Sequence, residues 1–362
     1  MALPASGGNP PTNPISASDI ANEFGYTNGS ETRLGSYRTT NGQGNFPVSF
    51  GALQFNSIDA QTGGSVPTSG QIKFSDFYGT RLQQVVNFYG SGKGGSRLVA
   101  KDRYNANSSG DVNVIGNYRT RPNNSSGTKV HIHVNQQIGS EKTRVEHCAL
   151  RTGSWDSSTT LQVDVGGSGR IGGAGGDGGR GSDSSNGNST SGRGGDGTSG
   201  LGVQYNPTTV NVASGGVITA GFGGGGGGGG AYDTDKEGAR TASGGGGGGG
   251  AGIPAGAGGA AGFNAGVNGQ PGNAGSISEG GTGGEGGNND GEAVAGDGGT
   301  GGEASDSADS GVTGQGGEGS TYSPGPAGSP GAAIRRNTGF TVNVNIASSG
   351  SVNGVQNATT VL

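Results

Sequence analysis

The chain has 362 residues, 89 of them glycine, with only 27% hydrophobic and 13% charged residues, so burial per residue must be low and backbone hydrogen bonding unusually important. Its single cysteine, Cys148, excludes an internal disulfide framework and fits synthesis in a reducing cytoplasm. The net charge of −5 divides unevenly, +3 over residues 1–165 and −8 over 166–362, and no basic residue occurs from Thr241 to Ile334, which excludes nucleic acid as the partner of that region.

Residues 1–84 read as a small docking module. The start, MALPASGGNPP, lacks both a basic and an apolar leader segment, and no run of 18 apolar residues exists, so neither a signal peptide nor a membrane span is predicted. In ISASDIANEFG, Ser16 or Ser18 can cap a short helix carrying Ile20 and Phe24. A helix that short needs a neighbour to pack on. Phe74, Phe77 and Tyr78 then concentrate aromatic area in a segment too small for its own core, which points to attachment to another protein. A self-contained subdomain is the competing reading.

Residues 85–165 read as strands: QQVVNFYG, RLVAKDRY, DVNVIGNY, TKVHIHVN, TRVEHCAL and TTLQVDVG, separated by Gly-, Asn- and Ser-rich turns. The spacing predicts a β-sandwich-like domain. Within it, His131 and His133 project from one face of a strand. Two imidazoles are too few for a closed metal site, though a three-fold axis would multiply them to six. A half-exposed polar strand face is the simpler account of them.

From residue 166 to 335, 65 residues are glycine, with unbroken runs at 223–230 and 244–250. Collagen fails, because it needs glycine at every third position and abundant proline. A flexible linker remains open on composition. Against it, Ile171, Ile218, Phe222, Ile253, Phe263 and Ile277 punctuate the glycines, and a solvated spacer has no use for them. The alternative is a bundle of extended three-fold polyglycine II helices, in which an eight-residue run spans about 25 Å at about 3.1 Å per residue and neighbouring segments satisfy the amides.

A repeat ties this region to the strands: TTLQVDVGGSGRIGGAGG (159–176), TTVNVASGGVITAGFGGGG (208–226) and FTVNVNIASSGSVNGVQ (340–356) each run from an alternating strand through a Ser/Gly turn to one apolar residue and then glycine. Glycine segments therefore start from a folded platform, and residues 336–362 return to it. Polar islands at 182–190, 232–241, 263–273 and 304–313 become the connecting loops, where binding usually resides. The fold class is mainly β with irregular structure: docking module, β-sandwich-like domain, glycine-rich bundle with loops.

The module ISASDIANEFG…GQIKFSDFYG resembles the N-terminal segment of phage structural proteins, particularly those of cyanophages; the strand-to-glycine repeat, the ALRTGSW turn (149–155) and GSPGAAIRRNTGFTVNV resemble glycine-rich phage tail-fibre tips, and the glycine blocks divided by loops are similar to the adhesins of T-even-type long tail fibres. The resemblance implies a virion protein that joins other phage tail or baseplate proteins as a homotrimer or on a trimer. It implies recognition of a host surface glycan or outer-membrane protein through loops on a polyglycine II bundle. The contact residues expected are Tyr232, Asp233, Asp235, Phe263, Asn264, Asp306, Asp309 and Tyr322, with Ile20, Phe24, Phe74, Phe77 and Tyr78 attaching the chain to the virion. It also implies Fe²⁺ or another transition metal at His131 and His133, across a three-fold axis; no cofactor is otherwise required. A passive neck, collar or baseplate appendage is the alternative.

Nothing points to an enzyme. Glycine blocks without a following Gly-Lys-Ser/Thr are not a phosphate loop, and no carboxylate pair or nucleophile–base arrangement is held at fixed spacing. The segment GGAGGD (172–177) matches a calcium-binding nonapeptide only in part and does not recur in tandem.

Overall fold

The structure is a computed structural model that describes residues 14–23, 39–40, 43–44, 58–60, 70–78, 80–82, 84–88, 98–99, 114–116, 129–142, 144–153, 160–183, 190–235, 238–263, 266–291, 293–304, 315–316 and 320–361. Near the N-terminus a helix spans Ala17–Glu23. Ser16 caps it: its hydroxyl accepts from the Asp19 N–H, and the Asp19 carboxylate accepts from the Ser16 N–H at 2.8 Å.

The described structure is mainly β, as expected from the alternating runs. In place of the antiparallel sheets of a sandwich, the chain winds through three parallel sheets in turn. Cys148–Arg151 lies in a five-stranded sheet, Thr160–Val165 in a six-stranded sheet and Arg170–Gly172 in a four-stranded sheet. Ser199–Val203, Thr208–Val212 and Val217–Thr219 repeat the circuit, and Ile334–Arg336, Val342–Ile346 and Ser351–Asn353 repeat it again. Each circuit stacks on the last in parallel register. The result is a three-sided solenoid. Among the described strands of the six-stranded sheet, Gln84–Phe88 with Val114–Gly116 is the antiparallel pair.

The register explains the repeat. Val163, Val210 and Val344 are neighbours, as are Ile171, Ile218 and Val352, so alternation places one apolar file inside at each level. Leu150, Leu161, Val163, Ile171, Leu201, Val210, Ile218 and Ile334 form a single buried core. The Ser/Gly turns superpose too: Gly169, Gly216 and Gly350 donate to Gly166, Ala213 and Ala347 at 2.7, 2.9 and 2.9 Å.

Two insertions leave the solenoid at the same corner, between Gly172 and Ser199 and between Thr219 and Ile334. They are the glycine-rich segments, and they lie side by side. Segment 243–252 runs through their middle. Gly244, Gly247 and Gly250 donate to Ser182, Gly179 and Gly176; Gly245, Gly248 and Ala251 to Gly296, Gly299 and Gly302; Gly246, Gly249 and Gly252 to Gln270, Asn273 and Ser276. Its carbonyls accept in the same rhythm from three further segments: Gly228, Gly225 and Phe222; Gly262, Gly259 and Gly256; Gly287, Gly284 and Gly281. Six neighbours thus surround one glycine segment, each bonded at every third residue.

Close backbone approach requires the absence of a side chain here. A Cβ at Gly247 would fall on the Gly225 carbonyl, and one at Gly250 on the Phe222 carbonyl. Outer segments instead expose one residue in three: Asp177 and Arg180; Ala257, Ala260 and Phe263; Glu279, Thr282 and Glu285; Asp297 and Thr300. Aspartates in this row accept amides of the next segment. Asp177 takes the Ala257 N–H, Asp183 the Phe263 N–H, Asp196 the Ser329 N–H and Asp297 the Gly286 N–H, at 2.6 to 2.8 Å.

Candidate functional site

The hydrogen-bond ladder fixes which connections share an end of the bundle. Gly173, Gly221 and Gly331 adjoin solenoid strands, whereas Ser182, Gly230, Ser243, Gly262, Gly287 and Tyr322 lie at the far end. The described residues of connections 183–191, 231–242, 263–266 and 288–294 therefore converge there. Turns 253–255 and 277–279 lie at the solenoid end. Of the predicted islands, 232–241 has its described residues at the far end, as has 182–190 at residues 182, 183 and 190, the rest of it lying outside the described residues. Island 263–273 begins there but continues into a returning glycine segment, and most of 304–313 lies outside the described residues.

Two small sheets build this far end. Ala231–Asp235 pairs antiparallel with Gly238–Ala242 and with Ser320–Thr321. Asn288–Asn289, Ala293–Val294 and Gln315–Gly316 form the other. Ala231, Ala242, Ala293 and Ala295 pack between them, small enough to let the sheets meet above a bundle of bare backbones. The turn at Asn288–Gly291 uses left-handed backbone at Asp290 (φ 54°) and Gly291 (φ 82°), with the Gly291 N–H donating to Asn288 Oδ1 at 2.8 Å. The sequence reading passed over this turn, although Asn-Asp-Gly is a strong turn signal.

The expected contact residues divide sharply. Phe263 is 72% exposed, while its backbone N–H is held at 2.6 Å by Asp183, itself bridged by Arg180 at 2.6 Å. An anchored backbone thus presents a free ring. Tyr232 lies opposite Thr241 and Ser320, half-buried, and Tyr322 is half-buried where its N–H meets the Gly230 carbonyl. Asp233 is only 4% exposed, so its side chain belongs to the interior of the tip and not to its surface. Asp235 lies on the same strand. Asn264, Asp306 and Asp309 fall outside the described residues.

In the attachment set, Ile20, Phe77 and Tyr78 are buried within the chain itself, and Phe74 is 43% exposed. Phe24 is outside the described residues. His131 and His133 occupy Lys129–Val134, an interior strand of the six-stranded sheet. There His133 Nε2 lies 3.9 Å from the Asp164 carboxylate. Among the described residues of one chain, no group of three or more His, Cys, Asp and Glu side chains could hold a metal ion. His133 thus has an acidic neighbour within the chain.

Asp177, at the end of GGAGGD, is occupied in another way. Burial raises its pKa, but the Lys142 ammonium at 2.6 Å and the Ala257 N–H outweigh it and hold the carboxyl below its usual range. Arg193, at 2.6 Å, does the same for Asp196 against the cost of burial, helped by the Ser329 N–H. These aspartates tie segments together.

A family model described as phage tail fibre adhesin Gp38 matches residues 99–356, which takes in the solenoid, the bundle and the tip. The chain belongs to the Gp38 family of phage tail fibre adhesins. As such the adhesin is a component of the virion. A solved structure similar to it is the gp37–gp38 adhesin tip complex of the bacteriophage S16 long tail fibre, at 18% identity over 78% of this chain and 88% of that chain, with a TM-score of 0.33. No curated protein matches the sequence. No helix among the described residues is long and apolar enough to cross a membrane.

Proposed function

We propose that the adhesin recognises a host cell-surface receptor, a glycan or an outer-membrane protein, through the connections gathered at the far end of the bundle. The observation that carries this reading is Phe263: a ring 72% exposed on a backbone pinned by a bridged aspartate. Rigid presentation of an aromatic lowers the entropy cost of binding and suits stacking on a sugar face or burial in a protein pocket. Tyr232, on Ala231–Asp235, and Tyr322, just after Ser320–Thr321, are half-buried at the same end of the bundle and add aromatic surface there.

The bundle's role in this reading is mechanical. Its three-residue hydrogen-bond period and six-fold surroundings are those expected of polyglycine II, and every bond made between segments removes freedom from the loops they carry. We further propose that the solenoid end seats on another tail or baseplate protein. A three-sided solenoid made by one chain suits the end of a three-fold fibre without requiring three copies, although a homotrimer would satisfy the same geometry.

The test is adsorption of phage carrying Phe263→Ala, alone and with Tyr232→Ala and Tyr322→Ala. Host adsorption should fall with each substitution while the protein remains on purified particles. Normal adsorption by the triple variant would overturn the reading and leave the bundle a passive spacer.

A further inference from the structure

On the outer face of the six-stranded sheet, far from the tip, four side chains stand in one row across adjacent strands. His133, Asp164, Asn211 and Asn345 are register partners. Asn345 Nδ2 donates to Asn211 Oδ1 at 2.8 Å, and Asn211 Nδ2 donates to Asp164 Oδ1 at 2.7 Å. Gln162 Nε2 reaches the same carboxylate oxygen at 2.7 Å, and His133 faces the other oxygen. The row is therefore fixed in orientation, each amide set by its neighbour. Beside it opens a cleft of about 380 Å³, closed on its other side by the superposed turns with Ala213, Ile346 and Ala347. Ile346 is 47% exposed.

We infer that this cleft is a binding site for a neutral saccharide unit, separate from the tip. Its volume lies in the small-molecule range of about 300–1,000 Å³, and it combines an apolar wall with a few oriented polar groups. The chemistry narrows the ligand. A phosphate or carboxylate would meet the Asp164 carboxylate. A metal ion would find one carboxylate, with one oxygen already accepting two amide donors, and no second acid in the lining. A nucleobase would find no Phe, Tyr or Trp ring to stack on. Hydroxyl groups, which donate and accept, match a row of alternating amides and a carboxylate, while the C–H face of a sugar ring matches Ile346 and the alanines. The site does not rest on the receptor reading of the tip.

Titration of the full-length protein with methyl α-D-glucopyranoside, methyl β-D-galactopyranoside, methyl α-D-mannopyranoside and methyl N-acetyl-β-D-glucosaminide, followed by amide chemical shifts, tests this. At least one should bind with a dissociation constant of about a millimolar and shift the amides of Asp164, Asn211 and Asn345. Asn345→Ala, at the exposed end of the row, should weaken it about tenfold, as should Ile346→Glu; tenfold is about 1.4 kcal/mol. Phe263→Ala at the tip should leave it unchanged. No shift with any of the four glycosides, or equal binding by both cleft variants, would overturn the inference.

Discussion

Replacing Gly247 with alanine puts a methyl group where another backbone already lies. The new Cβ would fall on the Gly225 carbonyl, with the Gly226 carbonyl oxygen 2.8 Å away. Ordinarily a glycine-to-alanine change in compatible backbone stabilises a protein by about 0.4–1 kcal/mol, through the unfolded chain. Here the neighbour is main chain and cannot rotate away. Overpacking of this kind costs about 1–3 kcal/mol. Separating segment 243–252 from 221–230 also strains the bonds Gly225→Gly248 and Gly228→Gly245, both 2.8 Å, each worth about 1 kcal/mol. The net expectation is a loss of about 2–4 kcal/mol, with the sign opposite to the usual one. Ala260→Ser, in the exposed row of a neighbouring segment, should stay within about 0.5 kcal/mol. Denaturant unfolding followed by hydrogen exchange in residues 173–302 measures both. Equal stability of Gly247→Ala and the parent would refute the argument that bare backbones touch here.

Three further outcomes follow from the same structure. Asp177 and Asp196 have depressed pKa values in the fold, so their contribution is present at neutral pH and is lost as pH falls below the usual carboxylate value of about 4; the melting temperature of Asp177→Asn should therefore drop less between pH 7 and pH 3 than that of the parent. Cys148 is buried and its thiol is pushed up to about 12, chiefly by burial, against the pull of Arg335 and Arg151. Ellman's reagent at pH 8 should leave it unmodified in native protein and label it fully after denaturation; rapid native labelling would contradict the packing of the five-stranded sheet. Ile171→Ala, in the first of the three circuits and buried in the solenoid core, should cost about 2–5 kcal/mol by denaturant titration, and a cost below about 1 kcal/mol would mean that the circuits do not share one interior.

The repeat at 159–176, 208–226 and 340–356 was legible because its alternation and turns are local, and it marked the strands that prove to be stacked neighbours. Their parallel pairing was not. A period of two says which face a residue takes but nothing about the direction of its partner, and more than a hundred residues separate Thr219 from Ile334. The glycine segments offered a signal that block-counting obscured: GGDGGRGSD and EGGTGGEGG place a side chain at every third position, and that position is the exposed row. Among the tip residues, Phe263 was identifiable as an aromatic amid glycines. Asp233 was misjudged as a surface group, because a short strand alternates its faces and the inward one lay against alanines far away in sequence.

Backbone hydrogen exchange across residues 223–250 in the assembled fibre tests the ordered bundle most directly. Amides of Gly224, Gly225, Gly227, Gly228 and Gly244 to Gly250 should be protected as strongly as those of Thr208–Val212 in the solenoid. Exchange of these glycines at the rate of an unstructured peptide would contradict it.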